Sequence, residues 1–353
     1  MNWRDVRNPS AGGAEVFTHE VAKRWAAQGH SVGLVTSGFE GGAAEETLDG
    51  VRIIRRGGPL SAYRHARRVF LEEFRSRCDI LIDEVNTRPF LTPKYAPGGV
   101  RLFALIHQLA REYWSYETPF PVSYVGRHWL EDRWLRSYVD VPTITVSAST
   151  KADLESLGFR HVEIVPEGLS ATPLAAVPEK PSEPTLVYVA RFKRVKLPDH
   201  ALEAFRRIRE RIPGARLWMV GDGYLLPAMR RRAPPGVAFL GHVSEEKKYE
   251  LLRQAHLLLF PAVREGWGLT VIEANACGTP AIGYDVPGLR DSIVDGQTGF
   301  RVPFADVAAM ADRAIWLLGH PAEYRAMASQ ALEGSRQFSW DRTAEAMMRI
   351  VAA

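Results

Sequence analysis

The chain is 353 residues long, beyond a typical single core, so two domains are the expectation. An apolar fraction of 46% beside 24% charged residues describes an ordinary globular protein and excludes a disordered or fibrous one. The net charge of +4 is too small for nucleic-acid binding; residues 1–180 hold 22 basic and 22 acidic side chains, and residues 181–353 hold 23 and 19.

Residues 1–10 do not read as a buried strand, although a doubly wound domain normally opens on a central strand followed by a glycine turn. The first strand of the N-terminal domain is therefore expected to be missing or truncated, with the natural start upstream or another segment in its place. Gly12 and Gly13 open a predicted helix, Gly13–Gln28, with Val16, Val21 and Trp25 near one face. Short β-branched runs then alternate with helix-period stretches, the pattern of parallel sheets. Strands are expected at Ser31–Thr36, Val51–Arg55, Asp79–Val85, Leu102–Ile106, Thr143–Ser147 and Val162–Val165. Ser170–Pro184, with four prolines and no periodicity, reads as an interdomain linker. Strands resume at Leu186–Ala190, Arg216–Gly221, Ala238–Gly241, Leu257–Phe260 and Pro280–Tyr284. A last helix, Phe338–Ala353, has Ser339 and Asp341 to cap its start. The expected domains are thus 1–170, a linker at 171–184, and 185–337, with 338–353 crossing back to the first.

Two cysteines, Cys78 and Cys277, lie far apart without metal-ligand spacing, which points to a reducing cytoplasm. The N-terminus has no apolar signal core, and no run reaches membrane-spanning length.

The densest chemical signal is Arg264-Glu-Gly-Trp-Gly-Leu-Thr-Val-Ile-Glu-Ala-Asn-Ala-Cys-Gly278, which holds Glu265 and Glu273 eight residues apart. Eight helical residues would separate them by about 12 Å. That exceeds the roughly 5–9.5 Å between the paired carboxyls of a glycosidase, and suits a rod-like ligand better than one scissile bond. The stretch Phe260–Phe300 closely resembles the donor site of the retaining family 4 glycosyltransferases, and the resemblance extends over nearly the whole chain. The opening Asn2–Glu15 is similar to a subgroup of them. The resemblance implies the GT-B architecture: two Rossmann-like, doubly wound α/β domains facing across a cleft.

On that resemblance Arg191 and Lys196 match the family's Arg-x4-Lys and clamp the donor diphosphate. The chemistry fits, since arginine offers a planar fork of donors and lysine a point charge. Glu273 resembles the residue that accepts from the ribose hydroxyls, and Glu265 the one facing the sugar. Set against this, Glu273 could instead make an internal salt bridge with an arginine. Trp267 and Leu269, with the amides of Gly266, Gly268 and Leu269, would lie at an anion-attracting helix start. Trp267 alone reads equally as core. Gly12 and Gly13 match the glycine loop beneath the donor, and His107 the histidine near the reacting carbon. Gly221 lies in a turn near the nucleotide, and the base is expected against Gly241–Val243, making Val243 a contact. Leu226 replaces the third glycine of a dinucleotide fingerprint, which disfavours a dehydrogenase.

There is no Asp-x-Asp and no ligand-spaced His, Cys or carboxylate cluster, so a metal-independent reaction without cofactor is expected. The implied function is transfer of a sugar from a nucleoside-diphosphate donor to a hydroxyl acceptor, carbohydrate or lipid-linked. The rivals are a sugar-nucleotide epimerase or phosphorylase of the same architecture, and a non-catalytic partner subunit. Between Tyr113 and Tyr138, six aromatic residues interleave with Arg111, Arg127, Arg133 and Arg136. They read as a sugar platform, a peripheral contact with the inner membrane face, or packed helix.

Overall fold

The computed structural model describes all 353 residues, in two compact units. Unit 1 comprises residues 1–114, 120–168 and 339–353, and unit 2 residues 115–119 and 169–338.

Unit 1 opens with helix α1, Gly13–Ala27, whose buried face is formed by Phe17, Val21 and Ala22, while Val16 is only half-buried. Strands β1 (Gly33–Thr36), β2 (Glu45–Leu48) and β3 (Val51–Arg55) form one sheet in the order β1-β3-β2. β1 runs parallel to β3, and β2 antiparallel. The sequence reading missed β2. Its signal was Asp49-Gly50, both at positive φ (49° and 79°), the geometry of a two-residue hairpin turn. After α2 (Ala62–Val69), strands β4 (Ile80–Glu84), β5 (Arg101–Ile106), β6 (Thr143–Thr145) and β7 (Val162–Ile164) form a second, parallel sheet in chain order. The residues expected to lack a strand contribute Met1 and Asn2 to the place between the two sheets. Met1 N donates to Ile82 O (2.7 Å), Glu84 N to Met1 O (3.0 Å) and Asn2 N to Val35 O (3.1 Å). The terminal helix Trp340–Ala352, capped by Ser339, packs on α1, and Trp25 Nε1 donates to Ala344 O at 3.1 Å.

Unit 2 holds one parallel sheet of β8 (Thr185–Val189), β9 (Arg216–Val220), β10 (Val237–Gly241), β11 (Leu257–Phe260), β12 (Ala281–Tyr284) and β13 (Gly299–Val302). Their order is β10-β9-β8-β11-β12-β13. Renumbered from β8 this is 3-2-1-4-5-6, the Rossmann order, whose direction reverses between β8 and β11. β8, β11 and β12 are buried along their whole length, which is why they read as unbroken apolar runs. β13, a short edge strand that begins at a glycine, was not expected. The helices α3 (Pro198–Arg211), α4 (Glu245–Gln254) and α5 (Leu269–Ala276) belong to this unit.

The proline-rich 171–184 belongs to unit 2 and is hydrogen-bonded to the rest of it. Leu174 N donates to Ala276 O (3.0 Å), and Lys180 Nζ to Arg253 O (2.8 Å) and Thr279 Oγ1 (2.9 Å). Burial pulls the Lys180 pKa down to about 7.

Candidate functional site

An open parallel sheet binds ligands outside the carboxyl ends of its strands, where the strand order reverses. In unit 2 the chain leaves β8 through Ala190 and Arg191, and leaves β11 through Pro261–Glu265. Gly221, after β9, fixes the first loop. Its φ is +125°, and a Cβ would stand 2.1 Å from Ala190 O, so no other residue fits. Its amide also donates to Gly241 O (2.7 Å) at the end of β10, and Phe192 N donates to Asp222 O (2.8 Å). Val243, half-buried two residues on, packs on the core.

The loop after β8 tightens into a 3-10 turn, Arg194–Lys196, followed by Leu197 at φ 44° and by Pro198 at the first position of α3. Several contacts hold this turn. Tyr188 OH donates to Lys196 O (3.1 Å), Val263 N to Val195 O (2.9 Å) and Val195 N to Glu117 Oε1 (3.1 Å). Glu117 also accepts from Tyr224 OH (2.9 Å) and belongs to the short segment Ser115–Pro119 that unit 2 borrows from the first half of the chain. Held this way, Lys196 Nζ donates to Glu265 Oε1 in a largely buried ion pair, 5.7 Å from the centroid of the Phe260 ring. Arg191 stands half-buried in the same loop.

Glu265 lies in the turn after β11, its amide donating to Pro287 O at 3.1 Å. Gly288 (φ +82°) passes so close that a Cβ would meet Glu265 O at 2.3 Å. Gly268, left-handed at φ +102°, is the N-cap of α5. The helix therefore begins at Leu269, beside the half-buried Gly266, and directs its first-turn amides out of its N-terminus. Only Leu269–Glu273 of the eight-residue spacing is helical. Trp267 is buried, edge-on to Phe338 at 5.6 Å, and its Nε1 has no hydrogen-bond partner. Its packing matches the core reading.

Glu273 faces a cation, as the alternative reading allowed, but the cation is Lys248 of α4 and not an arginine. Lys248 Nζ donates to Glu273 Oε1 at 2.8 Å, and Tyr249 OH at 3.4 Å. Burial raises the Glu273 pKa, and the lysine pulls it back. Sequence reasoning missed Lys248 because it stands in a run of four charges, Glu245–Lys248, that looks like any wet helix face.

In unit 1, Gly12 and Gly13 do start α1. The amide of Gly12 donates to Glu15 Oε2 (2.6 Å), and Arg4 Nε holds the other oxygen at 3.0 Å. His107 follows β5 at its carboxyl end, but its ring is enclosed. Nε2 is 3.4 Å from Glu84 Oε1, Nδ1 is 3.4 Å from Glu167 Oε1, and Phe17 lies edge-on at 5.0 Å. Thr18 donates to the other oxygen of Glu84. Burial lowers the His107 pKa, and Glu167 and Glu84 together raise it further, to about 9. The ring thus lies between two buried acidic side chains and is 6% exposed.

This arrangement gives stability a sign. A histidine pKa raised from 6.5 to about 9 contributes fully below pH 6.5, and the contribution is lost as pH climbs through 9. Stability of the chain is expected to fall over that window by on the order of 3 kcal/mol. His107→Gln should flatten the slope, as read by denaturant titration across the same range.

The second-half model, glycosyl transferases group 1, matches residues 174–333. The first-half model, glycosyltransferase family 4, matches residues 11–172. A glycogen synthase of Mycobacterium tuberculosis is 29% identical over 221 residues, 60% of this chain and 53% of that enzyme. The chain thus aligns with about half the length of this curated relative. Among solved structures, a sucrose-phosphate synthase from Thermosynechococcus elongatus has a TM-score of 0.78 at 21% identity, covering 97% of this chain and 93% of that one. The Anabaena protein HepE, solved with UDP and glucose, has a TM-score of 0.74 at 16% identity, covering 99% and 98%. Model matches from residue 11 to 333, on a Rossmann-ordered sheet with a basic loop at its reversal point, lead to one assignment: the chain belongs to the family 4 glycosyltransferases of the GT-B fold.

Proposed function

We propose that the chain is a retaining glycosyltransferase that moves a sugar from a nucleoside diphosphate to a hydroxyl acceptor without a metal ion. The observation that carries this reading is the buried Lys196–Glu265 pair between the ends of β8 and β11, with Arg191 in the same loop. Each group has a task on such a donor. Arg191 and Lys196 meet the diphosphate, whose charge grows as the sugar departs, so fixed cations favour the transition state over the bound donor. Glu265, poised by Lys196, accepts from sugar hydroxyls, and Glu273 accepts from the ribose. The acceptor hydroxyl attacks from the face the diphosphate leaves, and a departing phosphate oxygen takes its proton. No side-chain nucleophile is then required.

HepE's solved complex with UDP and glucose supports a uridine nucleotide as the first donor to test. Exposed Phe120 (82%), Val122, Tyr124, Val125 and Trp129 (69%), with Arg127 among them, support an acceptor met at a lipid surface. Transfer from a nucleotide sugar is expected to persist at full rate in EDTA. Loss of activity that Mn²⁺ or Mg²⁺ restores would contradict the metal-independent part. Conversion of donor without any acceptor would favour an epimerase.

A further inference from the structure

Unit 1 has its own reversal of strand order, which the donor clamp of unit 2 does not use. Met1 and Asn2 form the row between β1 and β4, Met1 bonding Ile82 and Glu84 on one side and Asn2 N donating to Val35 O on the other. From this row the chain passes through α1 to β1 and β3, and later crosses to β4 and β5 on the opposite side. The crevice of a parallel sheet lies outside the carboxyl ends of its strands at such a point. Trp3 and Arg4 leave the row there, and Val85–Arg88 leave β4. Asn86 Nδ2 ties the two exits together by donating to Asn2 Oδ1 at 2.8 Å. Trp3 is fixed as well, its Nε1 donating to Pro59 O (3.2 Å) and its carbonyl accepting from Ser37 Oγ (2.6 Å).

Three hydrogen-bond donors gather at these exits. Arg88 Cζ stands 4.4 Å from the centroid of the Tyr63 ring, and Arg4 Cζ 4.7 Å from that of Trp3, so aromatic faces hold both guanidinium groups. Arg88 is exposed and has no carboxylate partner. Arg4 gives only Nε to Glu15, at 3.0 Å, and keeps its two terminal nitrogens. The hydroxyl of the half-buried Tyr63 makes no hydrogen bond within the protein. Burial raises the Tyr63 pKa to about 12; Arg88 and Arg4 both oppose the rise, which puts both cations near this oxygen. Asp83, the one acid that adds to the rise, is spent on Phe90 N, Thr92 and Tyr138 OH.

Two planar forks and a phenol near both of them suit one oxyanion with several unesterified oxygens, and arginine favours phosphate in this way. The donor's diphosphate has its proposed cations in unit 2, so a second set in unit 1 answers to the other substrate. Resting on the glycosyltransferase reading, we propose that Arg4, Arg88 and Tyr63 form an acceptor subsite, and that the acceptor is a hydroxyl compound that also carries a phosphate group. This phosphate does not react. It anchors the acceptor, so the subsite acts on binding and leaves the chemical step alone.

Modification of single arginines by phenylglyoxal, read by peptide mass spectrometry on the full chain, tests the subsite without any turnover. Inorganic phosphate is expected to slow modification of Arg88 about tenfold over chloride at equal ionic strength, as a saturating ligand does. Arg75 and Arg231, both exposed, should keep their rates. The protection should persist in Arg191→Ala/Lys196→Ala, which lacks the proposed donor clamp. Equal slowing of all three arginines, or loss of protection in that double variant, would overturn the subsite. Transfer from UDP-glucose then tests the acceptor, with sugar phosphates against free sugars in one arm and phosphatidylglycerol against diacylglycerol vesicles in the other. Turnover of the phosphorylated member is expected in one arm, which tells a soluble acceptor from a lipid. Arg88→Gln should raise the KM for that acceptor about tenfold, the effect of one charge-assisted contact, and spare kcat and the KM for the donor. Preference for the unphosphorylated members would overturn the proposal. Protection of Arg88 without transfer to any acceptor would instead strike the glycosyltransferase reading and leave the anion site standing.

Discussion

Lys196→Ala is expected to lower kcat/KM for the nucleotide sugar about 10- to 150-fold. A charge-assisted contact contributes about 1.5–3 kcal/mol, and each 1.36 kcal/mol is tenfold in rate. The lysine is paired with Glu265, and in the proposed reaction the same ammonium meets the diphosphate. Two roles in one side chain must be separated. Loss of the structural role leaves Glu265 buried without its cation and shows as a lower Tm. Adding Glu265→Gln should recover that Tm without restoring kcat/KM, because the neutral amide needs no counter-ion and the diphosphate still lacks one. Arg191→Ala is expected to lose a comparable factor in kcat/KM. Unchanged kinetics in both single variants would contradict the clamp.

Lys248→Met is expected to be among the most destabilising single changes in unit 2, by about 3–5 kcal/mol near pH 8, the usual cost of removing one member of a buried pair. The two side chains are 14% and 11% exposed, too buried for water to replace the lost partner. The loss should depend on pH. Burial already holds the Glu273 pKa above its ordinary value, and removing the lysine raises it further. A carboxyl whose folded pKa lies above its unfolded one weakens the fold as pH rises through the folded value. The deficit should therefore be small near pH 5 and grow toward pH 8. The double variant Lys248→Met/Glu273→Gln should regain most of it. Denaturant titrations at the two pH values measure this, and a deficit of equal size at both would contradict the pairing.

Much of this fold could be read from sequence because parallel strands covered on both faces announce themselves as apolar runs. β3 and β11 fall on their expected bounds, and β8, β9 and β12 within a residue or so. Of the elements that escaped, β13 is short and begins at a glycine, and β2 lacks that cover. β2 is a half-exposed antiparallel strand of Glu45, Glu46, Thr47 and Leu48, too polar to stand out, and its real mark was the turn after it. In the candidate site, Glu265, Glu273, Arg191 and Lys196 were named because each stands in a spaced motif. Their partners could not be named. Lys196 and Glu265 are 69 residues apart, and the carboxylates around His107 come from the end of β4 and from the segment after β7. A histidine at a strand end looks the same in sequence whether it faces a ligand or two buried acids. Proline content suggested an interdomain linker at 171–184, and the hydrogen bonds that hold it, from Lys180 to Arg253 O and Thr279 Oγ1, join residues far apart in sequence.

The account rests on one placement, a nucleoside diphosphate outside the carboxyl ends of β8 and β11. A crystal structure of the chain with a bound nucleotide sugar tests it most directly. The diphosphate is expected between Arg191 and Lys196, with a ribose hydroxyl on Glu273 and a sugar hydroxyl on Glu265. A nucleotide bound elsewhere, with the Lys196–Glu265 and Lys248–Glu273 pairs untouched, would contradict it.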